Sequence, residues 1–253
     1  MRLKDRVAIV TGAGSGLGKG IALRFAEEGA RVVCADIAGD TAEETARAIS
    51  QSAGKAPAQC TDVTQPEQVD ALGSACVEEF GQLDIMVCSA GTAKMATFLE
   101  TTPEQFRSTM QLNVEGLLYC GQSAARVMSE RGYGRIINIA SIAGERAAYG
   151  RTSYGTSKAA VIGLTRQMAL ELAPLGITAN AIGPGPVVTP LSLAALSEEG
   201  RDAYLDLIPA GRLGAIEDIA DTACFLAGEQ ASYVNGQVLF VDGGYTAIGV
   251  RHA

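Results

Sequence analysis

Residues 7–20 read VAIVTGAGSGLGKG, and the reading of this stretch decides the fold. Val7–Thr11 is an unbroken apolar run without alternation, the pattern of a strand buried on both faces. Leu17–Glu28 carries apolar residues at helical spacing. Between them Thr11-Gly12-Ala13-Gly14-Ser15-Gly16-Leu17-Gly18 is too rich in glycine for either element. Glycines let the backbone turn sharply and come close to a ligand. A strand, a glycine turn and a helix in this order bring the positive end of the helix to the turn, where main-chain N–H groups can hold a pyrophosphate.

Outward from this unit the same alternation continues over nearly the whole chain. Strands are expected at Arg31–Asp36, Ala56–Asp62, Asp84–Ser89, Arg135–Ala140, Thr178–Ile182 and Gln237–Val241. Helices are expected at about Thr41–Gln51, Pro66–Phe80, Pro103–Met128, Thr152–Leu175 and Ile216–Ala227. Thr102-Pro103 supplies a cap and a first-turn proline. Gly183–Pro190 holds three prolines and two glycines and reads as a loop. Leu191–Leu207 should form short helices, and about 186–212 should serve as a substrate lid. Apolar strands between helices imply a parallel sheet covered on both faces. The reading is α/β: one doubly wound domain over residues 1–253, with a seven-stranded sheet.

Such sheets bind ligands at the carboxyl ends of their strands, near the point where strand order reverses. Asp36 ends the second strand, where a carboxylate can accept hydrogen bonds from both adenosine ribose hydroxyls. The same charge would repel a ribose 2′-phosphate, and neither Ser15 nor Ile37 offers a cation, so NAD is expected over NADP. A phosphate-binding Walker loop would need glycine at 13 and serine or threonine at 20. Ala13 and Gly20 stand there instead.

Composition narrows the partners. A net charge of −8, from 20 basic and 28 acidic residues, argues against nucleic acid or an anionic membrane. No apolar run is long enough to span a bilayer, and MRLKDRVAIVTG enters a strand pattern without a secretory signal, so a cytoplasmic protein is expected. Cys34, Cys60, Cys76, Cys88, Cys120 and Cys224 are unevenly spaced and read as buried free thiols. The single histidine, His252, speaks against a histidine-based triad or zinc site, and no metal is expected.

Chemistry gathers in residues 141–158, SIAGERAAYGRTSYGTSK. Tyr154 and Lys158 stand four apart on a helix and share a face. A nearby ammonium should favour the phenolate and lower the tyrosine pKa, so that it exchanges a proton with an alcohol or ketone near neutral pH.

Together, the glycine turn, Asp36 and the Tyr154/Lys158 pair resemble the classical short-chain dehydrogenase/reductase family, from about Leu3 to Gly244. The resemblance implies a Rossmann fold and an NAD site built from Gly12, Ser15, Gly16, Leu17, Gly18, Asp36 and Ile37. Asp62 and Val63 match the adenine-contacting pair. Pro184, Gly185, Val187 and Thr189 match the loop at the nicotinamide end. After the fourth strand the family's Asn-Asn-Ala-Gly appears as Cys88-Ser89-Ala90-Gly91, a departure expected to alter local hydrogen bonding more than the reaction. Asn113, Ser141, Tyr154 and Lys158 match the catalytic positions. By this resemblance Asn113 helps hold a relay water, Ser141 binds the substrate oxygen, Tyr154 is the general acid and base, and Lys158 binds the nicotinamide ribose.

The implied activity is interconversion of a secondary alcohol and its ketone, the substrate being a small molecule such as a polyol, sugar or hydroxy acid. Ser141, Ala143, Tyr149, Arg151, Tyr154 and Pro186 are candidates for its pocket. Arg151 could meet an anionic substrate group or simply face solvent. Two other readings stand beside this one: a 3-oxoacyl-thioester reductase, and an NAD-binding sensor without turnover. Family members are usually tetramers, so a homotetramer is expected.

Overall fold

The computed structural model describes residues 1–52, 56–190, 192 and 198–247. His252, Leu191 and residues 193–197 of the expected lid lie outside them. Seven parallel strands form one sheet in the order β3-β2-β1-β4-β5-β6-β7. They are β1 (Val7–Thr11), β2 (Arg31–Asp36), β3 (Ala58–Cys60), β4 (Ile85–Cys88), β5 (Gly134–Ile139), β6 (Ile177–Pro184) and β7 (Val238–Val241). The order reverses at β1, which pairs with β2 on one side and β4 on the other. This is the Rossmann arrangement that the alternation implied, with the crevice for a ligand above β1.

Two apolar layers hold the sheet. On one face Ala8 and Val10 pack with Ile21 and Phe25 of α1 (Gly16–Glu27), Ala42 and Ile49 of α2 (Gly39–Ser52), and Ile219 of the last helix. On the other, Val7 and Ile9 pack with Leu72 of α3 (Pro66–Phe80) and with residues of two long helices further along the chain. Strand residues alternate between the two layers because successive side chains point to opposite faces.

The expected helix over 103–128 is in fact three pieces. α4 (Pro103–Met110) is capped by Thr102 Oγ1, which accepts from Gln105 N at 3.2 Å. A π turn follows over Gln111–Glu115, and α5 runs over Gly116–Arg131. Gly116, the first residue of α5, lets that helix pack closely. A Cβ at this position would lie 2.8 Å from Val63 Cγ2, so the backbone of α5 sits directly against the loop after β3. The next helix, α6 (Thr152–Leu172), ends in a 3₁₀ turn over Ala173–Leu175. Then come α7 (Glu198–Leu205) and α8 (Ile216–Ala227).

Two strands differ from expectation. β3 is an outer strand paired only with Cys34–Asp36, so its ends have no ladder to join and it shrinks to three residues. β6 extends through Gly183-Pro184, which had read as loop, because Phe240 and Val241 of β7 pair with them. Pro184 is tolerated since pairing with β5 has already ended at Ile182. All six cysteines are free, and five are buried; Cys60, at the end of outer strand β3, is exposed, contrary to the buried expectation.

Candidate active site

At the carboxyl end of β1 the chain turns through Gly12, whose φ of 70° falls in the left-handed region that favours glycine. A Cβ on Gly12 would sit 2.9 Å from Ala90 N, so the turn lies in contact with the loop after β4. Ser15 is the N-cap of α1 but places no side-chain oxygen on the first-turn N–H groups. Those donors therefore face the cavity in front of the turn, as an anion site requires. Asp36 is fixed beside them: Oδ2 accepts from Gly14 N at 2.9 Å and Oδ1 from Ala38 N at 3.0 Å. Ile37, next to it, leaves 67% of its surface exposed at the mouth of the cavity.

The loop after β4 is held without the two asparagines. Thr11 Oγ1 donates to Val87 O and accepts from Ser89 N at 3.1 Å and Ala90 N at 3.3 Å. Cys88 points into the core, where a hydrogen bond with Cys120 and then burial push its thiol well above the ordinary range. A thiol so placed is a packing group, not a nucleophile.

Tyr154 and Lys158 do share a face at the start of α6, yet their relationship is not the expected one. Lys158 is 6% exposed and donates through Nζ to Ile139 O at 2.7 Å, with Nζ 5.7 Å from the Tyr154 ring centre. Burial lowers its pKa to about 8. The Tyr154 phenol is raised, not lowered: burial outweighs the hydrogen bond with Ser141 and the nearby Arg151 guanidinium, both of which pull it down. In this geometry the groups that favour the phenolate are Ser141 and Arg151. Ser141 is itself oriented by accepting from Ala143 N at 3.1 Å.

Asn113 sits in the π turn and is buried behind the cavity wall. Its Oδ1 accepts from Thr92 N at 2.8 Å, while Nδ2 donates to Thr92 O at 3.0 Å and to Ser157 Oγ at 2.9 Å. The amide thus clamps the loop after β4 to the second turn of α6. π turns of this kind concentrate at functional sites.

One cavity of about 620 Å³ runs from Asp36 and Ile37 along the carboxyl edge of the sheet to Ser141, Tyr154 and Arg151. Every expected cofactor position lines it. Tyr149 does not and is 87% exposed; Asn113 does not, being behind the wall. The sequence reading missed Thr61, Thr64, Ser108, Gln111 and Leu112 in the lining. Tyr204, the only aromatic residue in Leu191–Leu207, does line it, within the segment expected to border the substrate. A glycine turn, an open helix N-terminus and the Asp36 carboxylate at one end suit a dinucleotide. Tyr154 and Ser141 at the other end are groups able to exchange a proton with, or hydrogen-bond, an alcohol or ketone. Among the described residues no His/Cys/Asp/Glu cluster could hold a metal ion, and no helix is long and apolar enough to cross a membrane.

Residues 12–246 match the family model described as enoyl-(acyl carrier protein) reductase. The chain is 44% identical to 2-(R)-hydroxypropyl-CoM dehydrogenase of Xanthobacter autotrophicus, covering 96% of this chain and all of the relative. It is 41% identical to cis-4-hydroxycyclohexanecarboxylate dehydrogenase of Sinomonas cyclohexanicum, over 96% of this chain and 98% of that one. Among solved structures, 7α-hydroxysteroid dehydrogenase complexed with NADH and 7-oxo glycochenodeoxycholic acid superposes with a TM-score of 0.93. Identity there is 38%, with 99% of this chain and 96% of the other covered.

Proposed function

The chain belongs to the short-chain dehydrogenase/reductase family, oxidoreductases acting on CH–OH groups, and from that premise we propose that it is an NAD(H)-dependent dehydrogenase of a secondary alcohol. The observation that carries this reading is that Ser141 and Tyr154 stand together at one end of a cavity whose other end is Asp36. A bound nicotinamide supplies the acceptor or donor of hydride.

The chain's own residues do the rest. The α1 N-terminus and the turn from Gly12 to Gly18 hold the pyrophosphate. Asp36 takes the adenosine ribose hydroxyls, while Ile37, Asp62 and Val63 flank the adenine. Ser89, Ala90 and Gly91 let the cofactor pass, and Pro184, Gly185, Val187 and Thr189 hold its nicotinamide end. Lys158 swings from Ile139 O to the nicotinamide ribose. Ser141 donates to the substrate oxygen as negative charge develops there. Tyr154 accepts the hydroxyl proton when the C–H electron pair leaves as hydride, and returns it when a ketone is reduced. Asn113, through Thr92 and Ser157, keeps these groups in register. NAD is favoured over NADP because Asp36 is an anion with no neighbouring cation at Ser15 or Ile37. The reading extends to a lid over about 186–212, with Tyr204 on its underside, and to a cytoplasmic homotetramer. Exposed Leu170, Phe225 and Tyr233 support the assembly.

Similarity to 3-oxoacyl-[acyl-carrier-protein] reductases, at 35% identity for that of Thermotoga maritima, favours a second reading, reduction of a 3-oxoacyl thioester, against which Asp36 and the net charge of −8 both count. Rates with NAD and NADP across secondary alcohols, polyols and 3-oxoacyl thioesters decide between them. The Tyr154→Phe variant is expected to bind NADH and to lose turnover; near-normal rates in it would remove Tyr154 from the reaction.

A further inference from the structure

Among the described residues Arg151 has no carboxylate partner, and it stands beside Tyr154. It caps α6 from a rigid backbone: Gly150, with φ of 71°, delivers it, Ala96 forms a parallel bridge with it, and Gly155 N donates to its carbonyl at 2.6 Å. Its guanidinium lies 5.4 Å from the centre of the Tyr154 ring. The same charge favours the phenolates of both Tyr154 and Tyr204, so it sits between the α6 wall and the lid helix α7. Arg6, Arg24, Arg126, Arg135 and Arg212 each meet a carboxylate. Arg151 meets none among the described residues, although acidic side chains outnumber basic ones in this chain. The carboxylates lining the cavity, Asp36 and Asp62, are at its far end, at the tips of β2 and β3.

A half-buried guanidinium in a cavity is a costly group to leave without a counter-charge, and its planar fork matches a carboxylate or sulfonate in two parallel hydrogen bonds. The neighbouring wall is aromatic, with Tyr204 stacked 5.7 Å from Tyr245 in a tilted pair. We propose that Arg151 is a specificity-determining residue that binds an anionic group on the substrate, making the substrate a secondary alcohol that also carries a carboxylate or sulfonate on a compact, partly apolar skeleton. This deepens the dehydrogenase reading and rests on it. Lys158 does not compete for the anion: its ammonium is bonded to Ile139 O here and is assigned to the nicotinamide ribose when the cofactor is bound.

The test compares matched ligands on the enzyme–NADH complex by calorimetry: cyclohexanecarboxylate against cyclohexanecarboxamide, and butyrate against butyramide. Butanesulfonate serves as the sulfonate arm. Wild type should bind at least one anion about tenfold or more tightly than its neutral match, Arg151→Gln should erase the preference, and Arg151→Lys should restore part of it. Stronger binding of the carboxylates or of butanesulfonate identifies which anion the site takes. Equal binding of the anionic and neutral members in wild type, or a preference that survives in Arg151→Gln, overturns the proposal. Failure to bind NADH strikes the dehydrogenase reading instead; the pairs are then compared on the free protein, with the same criterion.

Discussion

Asn113 and Ser157 are joined by a hydrogen bond of 2.9 Å that crosses from the π turn to the second turn of α6. Ser157 Oγ in turn donates to Tyr154 O at 2.7 Å, so the clamp reaches the backbone of the tyrosine itself. Asn113→Ala removes this bond and both bonds to Thr92, leaving buried partners unpaired. The variant should lose about 2 kcal/mol of stability, read by urea denaturation, and turnover should fall by about tenfold or more as Tyr154 loosens. Full activity in a folded Asn113→Ala protein would show that the clamp positions nothing.

Asp36 has two tasks, and they separate by substitution. Both carboxylate oxygens accept main-chain N–H groups, from Gly14 and Ala38. Asp36→Asn keeps acceptor capacity for one of them but removes the charge; Asp36→Ala removes both. Each should raise KM for NAD, by about tenfold or more in Asp36→Ala, while KM for NADP falls relative to it. Steady-state kinetics with both cofactors check this, and an unchanged NAD/NADP ratio in Asp36→Asn would refute the role of the charge.

Lys158 couples stability to pH. Burial holds its folded-state pKa at about 8, below the ordinary value of 10.5. Below pH 8 the folded and unfolded chains both carry the proton, and the folded one bears the cost of a buried ammonium. Between about pH 8 and 10.5 the unfolded chain binds more protons at this site, so the Lys158 contribution to stability rises with pH. The full effect is on the order of 3 kcal/mol, from the shift at about 1.4 kcal/mol per unit. Lys158→Met should flatten this rise in denaturation curves taken across that window. A wild-type and variant difference that does not change with pH would contradict it.

Much of the fold was legible because it depends on local pattern. β1, β2, α3 and α8 fall on the bounds that apolar periodicity and a first-turn proline indicate. The π turn was not legible, because it leaves the helical spacing nearly intact and its neighbours, Val63 against Gly116 and Thr92 on Asn113, are distant in sequence. At the site, spacing alone put Tyr154 and Lys158 on one face. It could not show that the ammonium would turn to Ile139 O, since that carbonyl comes from β5 and reaches the helix only in the folded chain. Gln111 and Leu112 line the cavity as neighbours of Asn113 on a turn whose width the sequence does not encode.

The place of β1 at the reversal point also sets a hazard during synthesis. Once Arg31–Asp36 and Ala58–Cys60 have emerged, β1 has a partner on one side only. Its other edge, every residue of which is buried in the finished sheet, waits for Ile85–Cys88. Until then the nascent chain displays an apolar, unpaired strand edge, the template on which chains associate wrongly. Yield of this protein should therefore respond to slower translation and chaperone supply more than to any change at the cavity.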